Sequence, residues 1–131
     1  MVNRYLLDSH IFLWWLSDSD KLETHIYDII SDTRNTIYIS SATIWEISIK
    51  EALGKLKVDA DLDCAISENG FIELKISAKC ANATKQLPFI HKDPFDRMLI
   101  SQAIEGDMTL ISVDKFISQY NDAKVLKTKK I

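Results

Sequence analysis

RYLLDSHIFLWWL, Arg4 to Leu16, sets a short extended run, an acid and an unbroken apolar segment in direct succession. Arg4 to Leu7 reads as a strand ending at Asp8, and the continuous apolar run from Ile11 to Leu16 reads as a helix buried on more than one side. The same order returns further along. TIYIS, Thr36 to Ser40, has the β-branched and aromatic content of a strand. SATIWEISIKEALGKL, Ser41 to Leu56, then carries Ile44, Ile47 and Ile49 to Leu53 in helical order, with Gly54 expected just past the helix end. Between the two units, Asp20 is expected to cap a helix carrying Leu22, Ile26, Ile29 and Ile30.

The pattern continues to the C-terminus. Leu62 to Asn69 reads as a short helix stopped by Gly70, FIELKI from Phe71 alternates as a strand does, and Ser77 to Leu87 is helical. LPFIHKDPFDRMLISQA, Leu87 to Ala103, begins a helix with Asp93 as cap and Pro94 in the first turn, because proline has no amide to leave unpaired there. Gly106 is expected to close that helix. TLISV from Thr109 is a strand ending at Asp114, Phe116 to Tyr120 a helical turn, and Lys124 to Leu126 a last short strand. Strands alternating with helices predict an α/β fold with a mainly parallel sheet covered on both faces.

With 131 residues, 47% of them hydrophobic, the chain suits one packed core, so residues 1–131 are read as a single domain. No apolar run approaches membrane-spanning length, and the N-terminus lacks the features of an export signal, so a soluble cytoplasmic protein is expected. Cys64 and Cys80 have no close-spaced partner and receive no role. A net charge of −3 gives no average attraction to nucleic acid, and the lysines of KVLKTKK, Lys124 to Lys130, read as a solvated end. Trp14 and Trp15 together exceed what a small core accommodates easily, which suggests a subunit or partner contact.

Chemistry enters through the acids. In sheets of this kind ligands sit at the carboxyl ends of the strands. Asp8 follows the first strand and Asp114 the fourth, while Glu46 and Asp96 lie early in helices near that rim. Each has a bland explanation: Asp8 or Ser9 as a cap, Glu46 in a capping box with Thr43 or a pair with Lys50, Asp114 as a turn cap, Asp96 favoured by the helix dipole. None of these accounts for the coincidence of all four. Carboxylates gathered in one pocket repel unless a cation lies between them, and a hard divalent ion, Mg²⁺ or Mn²⁺, takes oxygen ligands. Such a site supports phosphodiester hydrolysis by a metal-activated water. Ser9 and Ser112 adjoin rim acids and can bond a carboxylate or a metal-bound water, Asp93 is a cap, and Arg97 can meet an RNA phosphate, a carboxylate or a surface ion-pair partner. His10, His25 and His91 have no zinc-site spacing; His91 stays open because it lies just before the acid-bearing helix.

LLDSHIFLWWL (Leu6–Leu16), SATIWEISIKEALGKL (Ser41–Leu56), LPFIHKDPFDRMLISQA (Leu87–Ala103) and LISVDKFISQY (Leu110–Tyr120) jointly resemble the PIN-domain ribonucleases, specifically the VapC-type toxins of toxin–antitoxin pairs. The resemblance covers nearly the whole chain. It implies a three-layer sandwich with a parallel sheet in the order 3-2-1-4-5. It also implies that Asp8, Glu46, Asp96 and Asp114 form an acidic quartet, with Asp8 and Asp96 as direct Mg²⁺ ligands, Asp114 completing the shell and Glu46 orienting or deprotonating the attacking water. The implied partners are RNA, often structured RNA such as transfer RNA, a cognate antitoxin whose tail blocks the pocket, and a second copy in a homodimer or a larger toxin–antitoxin hetero-oligomer. Departures are mild: Ser9 stands where threonine is frequent, Lys92 where arginine is common, and Ser112 in a usually threonine-containing motif.

Two rivals remain. A phosphoryl-transfer domain also carries acids at strand ends, but the first strand ends in DSH without a second nearby acid. A non-catalytic binding module would use its acids only as helix caps.

Overall fold

The computed structural model describes residues 3–114, 117–120 and 124–127. Strand β1 (Asn3–Leu7) leads into helices α1 (Ser9–Leu16) and α2 (Thr24–Ser31), and β2 (Asn35–Ser40) into α3 (Ser41–Ala52) and α4 (Leu62–Glu68). Next, β3 (Ile72–Leu74) is followed by α5 (Ala78–Ala83), a 3-10 turn at Thr84–Gln86 and α6 (Pro94–Gly106). The chain ends with β4 (Thr109–Ser112), a second 3-10 turn at Ile117–Gln119, and β5 (Lys124–Lys127). All paired strands are parallel, in the order β3-β2-β1-β4-β5, so the expected order holds, with β5 a short addition at the edge.

The centre of the sheet is buried on both faces, which explains its apolar strands. Successive residues of a strand point to opposite sides. Leu6 and Leu110, paired in register, pack with Leu99 and Ile100 of α6. Their neighbours Leu7 and Ile111 join Ile11 and Phe12 of α1 in the other core. Each such side chain contributes on the order of 2 kcal/mol by leaving water.

Helix ends follow local chemistry. Gly54 and Gly70 adopt φ values of +72° and +74° just after α3 and α4, as their positions lead one to expect. Gly106 is the last residue of α6, as expected, and the left-handed residue that follows it is Asp107 at φ 52°. Two expectations need correction. Asp20 caps nothing: α2 starts at Thr24 with Glu23 at its N-cap, because the chain first turns through Asp18 at φ 51° and the Leu22 amide bonds the Ser19 carbonyl. No capping box joins Thr43 and Glu46: Ser40 caps α3 by accepting the Ala42 amide, and the buried Thr43 hydroxyl has no hydrogen-bond partner.

The tryptophans divide differently from expectation. Trp15 lies against Tyr27 and Phe71 and donates to Asn69 Oδ1 at 3.0 Å, so the fold itself satisfies it. Trp14 lines a groove beside α1, and the tryptophan most open to solvent is Trp45 of α3, at 62% exposure. Cys64 and Cys80 are both free thiols. Among the described residues no helix is long and apolar enough to cross a membrane. Lys115, Phe116, Lys129 and Lys130 lie outside the described residues.

Candidate active site

Pairing of β1 with β4 builds the floor of the site. The Asp8 amide continues that pairing by bonding the Ile111 carbonyl at 3.1 Å, which sets the Asp8 side chain beside Val113. Asp8 Oδ1 accepts the Ile11 amide at 2.9 Å, capping α1, and Oδ2 accepts the Val113 amide at 3.1 Å. Burial pushes its carboxyl pKa up, opposed by these two amides and by the Ser112 hydroxyl. Ser112 Oγ also accepts the Asp114 amide at 3.0 Å, so one serine links the acids that follow β1 and β4.

Two helices supply the walls. Asp93 caps α6, accepting the Phe95 amide at 2.8 Å and the Asp96 amide at 3.4 Å, with Pro94 in the first turn. That start aims Asp96 at the rim. From α3, Glu46 accepts the Ser9 hydroxyl at 2.6 Å and pairs with Lys50 at 3.1 Å. Asp8, Ser9, Glu46, Asp93, Asp96 and Asp114 all line one pocket of about 170 Å³. The four acids singled out in the sequence therefore meet.

Charge in this pocket is not balanced by its own acids. The Asp96 carboxyl is pushed up to about 7, first by burial and then by Asp93, Asp8 and Asp114, with His91 acting the other way. Its neighbour in the cluster is a residue that spacing alone did not place. His91 Nε2 lies 2.8 Å from Asp96 Oδ2 and 2.7 Å from Asp114 Oδ2. Ligand atoms of His91, Asp96 and Asp114 all fall within 4.8 Å of one another, a separation that suits one metal ion. The signal for His91 in the sequence was its place two residues before the Asp93 cap.

Arg97 departs from every role expected of it. Its guanidinium is buried and bonds the backbone carbonyls of Thr84 and Pro88 at 2.9 Å, of Leu87 at 3.1 Å and of His91 at 3.2 Å. It also bonds the Tyr120 hydroxyl at 3.3 Å, and that hydroxyl accepts the His91 amide at 2.9 Å. The planar fork of arginine suits such a cluster of acceptors. Arg97 thus holds the segment that carries His91, and its hydrogen-bond partners here are four carbonyls and a hydroxyl rather than a carboxylate.

A larger groove of about 730 Å³ runs beside the acidic pocket and shares Ser9, His10, Glu46 and Lys50 with it. Its apolar wall is formed by Leu13, Trp14, Leu16, Ile47, Leu56 and Val58.

Comparison with known proteins gives the fold its family. No curated protein sequence matches the chain. In the crystal structure of VapBC2 from Rickettsia felis bound to a promoter DNA fragment, a chain 19% identical superposes with a TM-score of 0.71, over 98% of this chain and 100% of that one. A chain of DNA-bound VapBC from Salmonella typhimurium, 14% identical, gives 0.63 over 95% and 98%. VapBC-5 from Mycobacterium tuberculosis gives the same values: 14% identity and a TM-score of 0.63 over 95% and 98%. The model of the PIN domain matches residues 5–123, and the chain belongs to the PIN-domain family.

Proposed function

We propose that this protein is a divalent-metal-dependent endoribonuclease acting as the growth-inhibiting toxin of a toxin–antitoxin pair. One observation carries the reading: Asp8, Glu46, Asp96 and Asp114, from separate parts of the chain, line a single pocket at the carboxyl rim of a parallel sheet. The pocket fits a hard cation, because its donors are carboxylates, and burial together with the neighbouring acids pushes the Asp96 carboxyl up to about 7. Capping explains Asp8 and Asp93 but neither Glu46, in the second turn of α3, nor Asp96, whose side chain meets His91. That weighs against a module whose acids serve only as caps.

Asp8 and Asp96 would hold Mg²⁺ or Mn²⁺, with Asp114 completing the ion's shell. The ion supplies a bound water of lowered pKa and neutralises charge on the phosphate. Around it the protein's own groups are already positioned. Asp8 is fixed by an amide on each oxygen and by the Ser112 hydroxyl. Glu46, held by Ser9 and Lys50, would orient the attacking water and take its proton. Lys50, which lines the pocket, would meet an RNA phosphate there.

The groove beside the pocket suits the antitoxin. An amphipathic tail could cover Trp14, Leu16 and Val58 while a basic side chain reaches Glu46 and the acids beyond it. Homodimerisation is supported by exposed apolar residues on α3 and at its C-cap, where Trp45 and Leu53 are 62% and 63% exposed. An RNA substrate fits action in the cytoplasm.

The test is cleavage of total and transfer RNA by purified protein with Mg²⁺ or Mn²⁺, against EDTA and Asp96→Asn protein prepared identically. Metal-dependent cutting absent from the variant supports the proposal. Equal cutting by both proteins, or none by either under loading conditions that bind Mn²⁺, contradicts it.

A further inference from the structure

His91 occupies the place where a cation would be expected. Its ring is largely buried, and its Nε2 sits between Asp96 Oδ2 and Asp114 Oδ2 at 2.8 and 2.7 Å. The proton position follows from the other ring nitrogen. Asp93 donates its backbone amide to His91 Nδ1 at 3.3 Å, so Nδ1 is an acceptor and the hydrogen is on Nε2, pointing at the two carboxylates. A nitrogen that carries this hydrogen has no lone pair for a metal. Moving the proton to Nδ1 would set two N–H groups against each other.

The backbone of His91 is also held. Its amide donates to Tyr120 and its carbonyl accepts from Arg97, and Arg97 holds three further carbonyls between Thr84 and Pro88. The ring can leave only by rotation of the side chain.

We propose that the His91 imidazole is a tethered stand-in for the cation: it bridges Asp96 and Asp114 in the metal-free protein and must swing out, without becoming a ligand, when a divalent ion enters. This rests on the reading of the pocket as a metal site. The ring and the ion compete for the same two oxygens, so the ring weakens metal binding in proportion to the time it spends between them. It also keeps two like charges together until metal arrives.

The experiment is Mn²⁺ binding to the metal-free protein by titration calorimetry, with the shift in thermal unfolding on Mn²⁺ addition as a second readout. His91→Ala removes the bridge, and His91→Gln retains a donor at similar reach but offers no ring nitrogen. If the ring fills the pocket about nine-tenths of the time, His91→Ala binds Mn²⁺ about tenfold more tightly than wild type and shows the larger thermal shift. His91→Gln stays close to wild type. Weaker binding by both variants means that His91 is a ligand and overturns the inference while leaving the metal site in place. Unchanged binding by His91→Ala overturns it equally. Absence of Mn²⁺ binding in wild type and variants alike removes the metal-site reading itself, and the inference with it.

Discussion

Asp8 and Asp96 face the same pocket but are held by different means. Asp8 takes one backbone amide on each oxygen, from Ile11 and Val113, and both amides come from elements that flank its own strand end. Asp96 meets no such amide. Its carboxylate meets the His91 side chain, which arrives on a segment fastened by Arg97 and Tyr120. One acid is part of how the fold closes, and the other is positioned by a loop and stays poorly compensated. A single pocket can therefore hold one carboxylate that is built into the fold by backbone amides and one that is buried among like charges.

The largest effect should come from the fastening. Arg97→Met leaves a group of buried carbonyls without donors and is expected to cost about 3 kcal/mol or more of stability in denaturant unfolding. Arg97→Lys keeps the charge but not the fork, and should fall between that variant and wild type. Loss confined to activity, with stability intact, would show that the segment holds its place without Arg97.

The two acids should separate next. Asp8→Ala removes the cap of α1 and the acceptor of Val113, with an expected loss of about 2–4 kcal/mol. Asp96→Asn should leave the metal-free protein as stable as wild type or raise its melting temperature by a few degrees, since it removes a buried charge among like charges. Both variants should lose RNA cleavage by a factor of about 100 or more, beyond what supporting residues of metal sites usually cost. Equal destabilisation by the two substitutions would erase the distinction.

Acidity sharpens the same contrast. A carboxyl at 3.8 when unfolded and about 7 when folded binds its proton more tightly in the folded state. Its contribution to stability is full below about pH 4 and is lost as pH rises toward 7. Unfolding of metal-free wild type compared with Asp96→Asn across that range should show the variant gaining relative to wild type with rising pH, and Mn²⁺ should close the gap. The smallest effect belongs to Lys50→Ala: its pair with Glu46 is half-exposed, so the loss in stability should stay within about 0.5 kcal/mol.

Much of this was legible in the residues. The strand order came only from the family resemblance, whereas the meeting of the acids followed from where Asp8 and Asp114 stand relative to their strands, and from the Asp93–Pro94 start that places Asp96 in the first turn of α6. These are local signals, set by caps and by alternation along a strand. What escaped depends on distant partners. Arg97 reads as a surface cation in sequence because nothing nearby shows that the Thr84–His91 segment folds back over it. His91 had no spacing to a second ligand, since its partners are an acid one helical turn into α6 and another beyond β4. The cap of α2 escaped for a related reason, because Leu22 anchors the turn before the helix instead of starting it.

Location of Mn²⁺ by anomalous scattering in crystals of the wild-type protein is the most direct test of the central claim. The expected result is an ion against the carboxylates of Asp8, Asp96 and Asp114, in the pocket that Glu46 borders. A protein that binds Mn²⁺ only elsewhere, with these carboxylates left to one another and to His91, would contradict it.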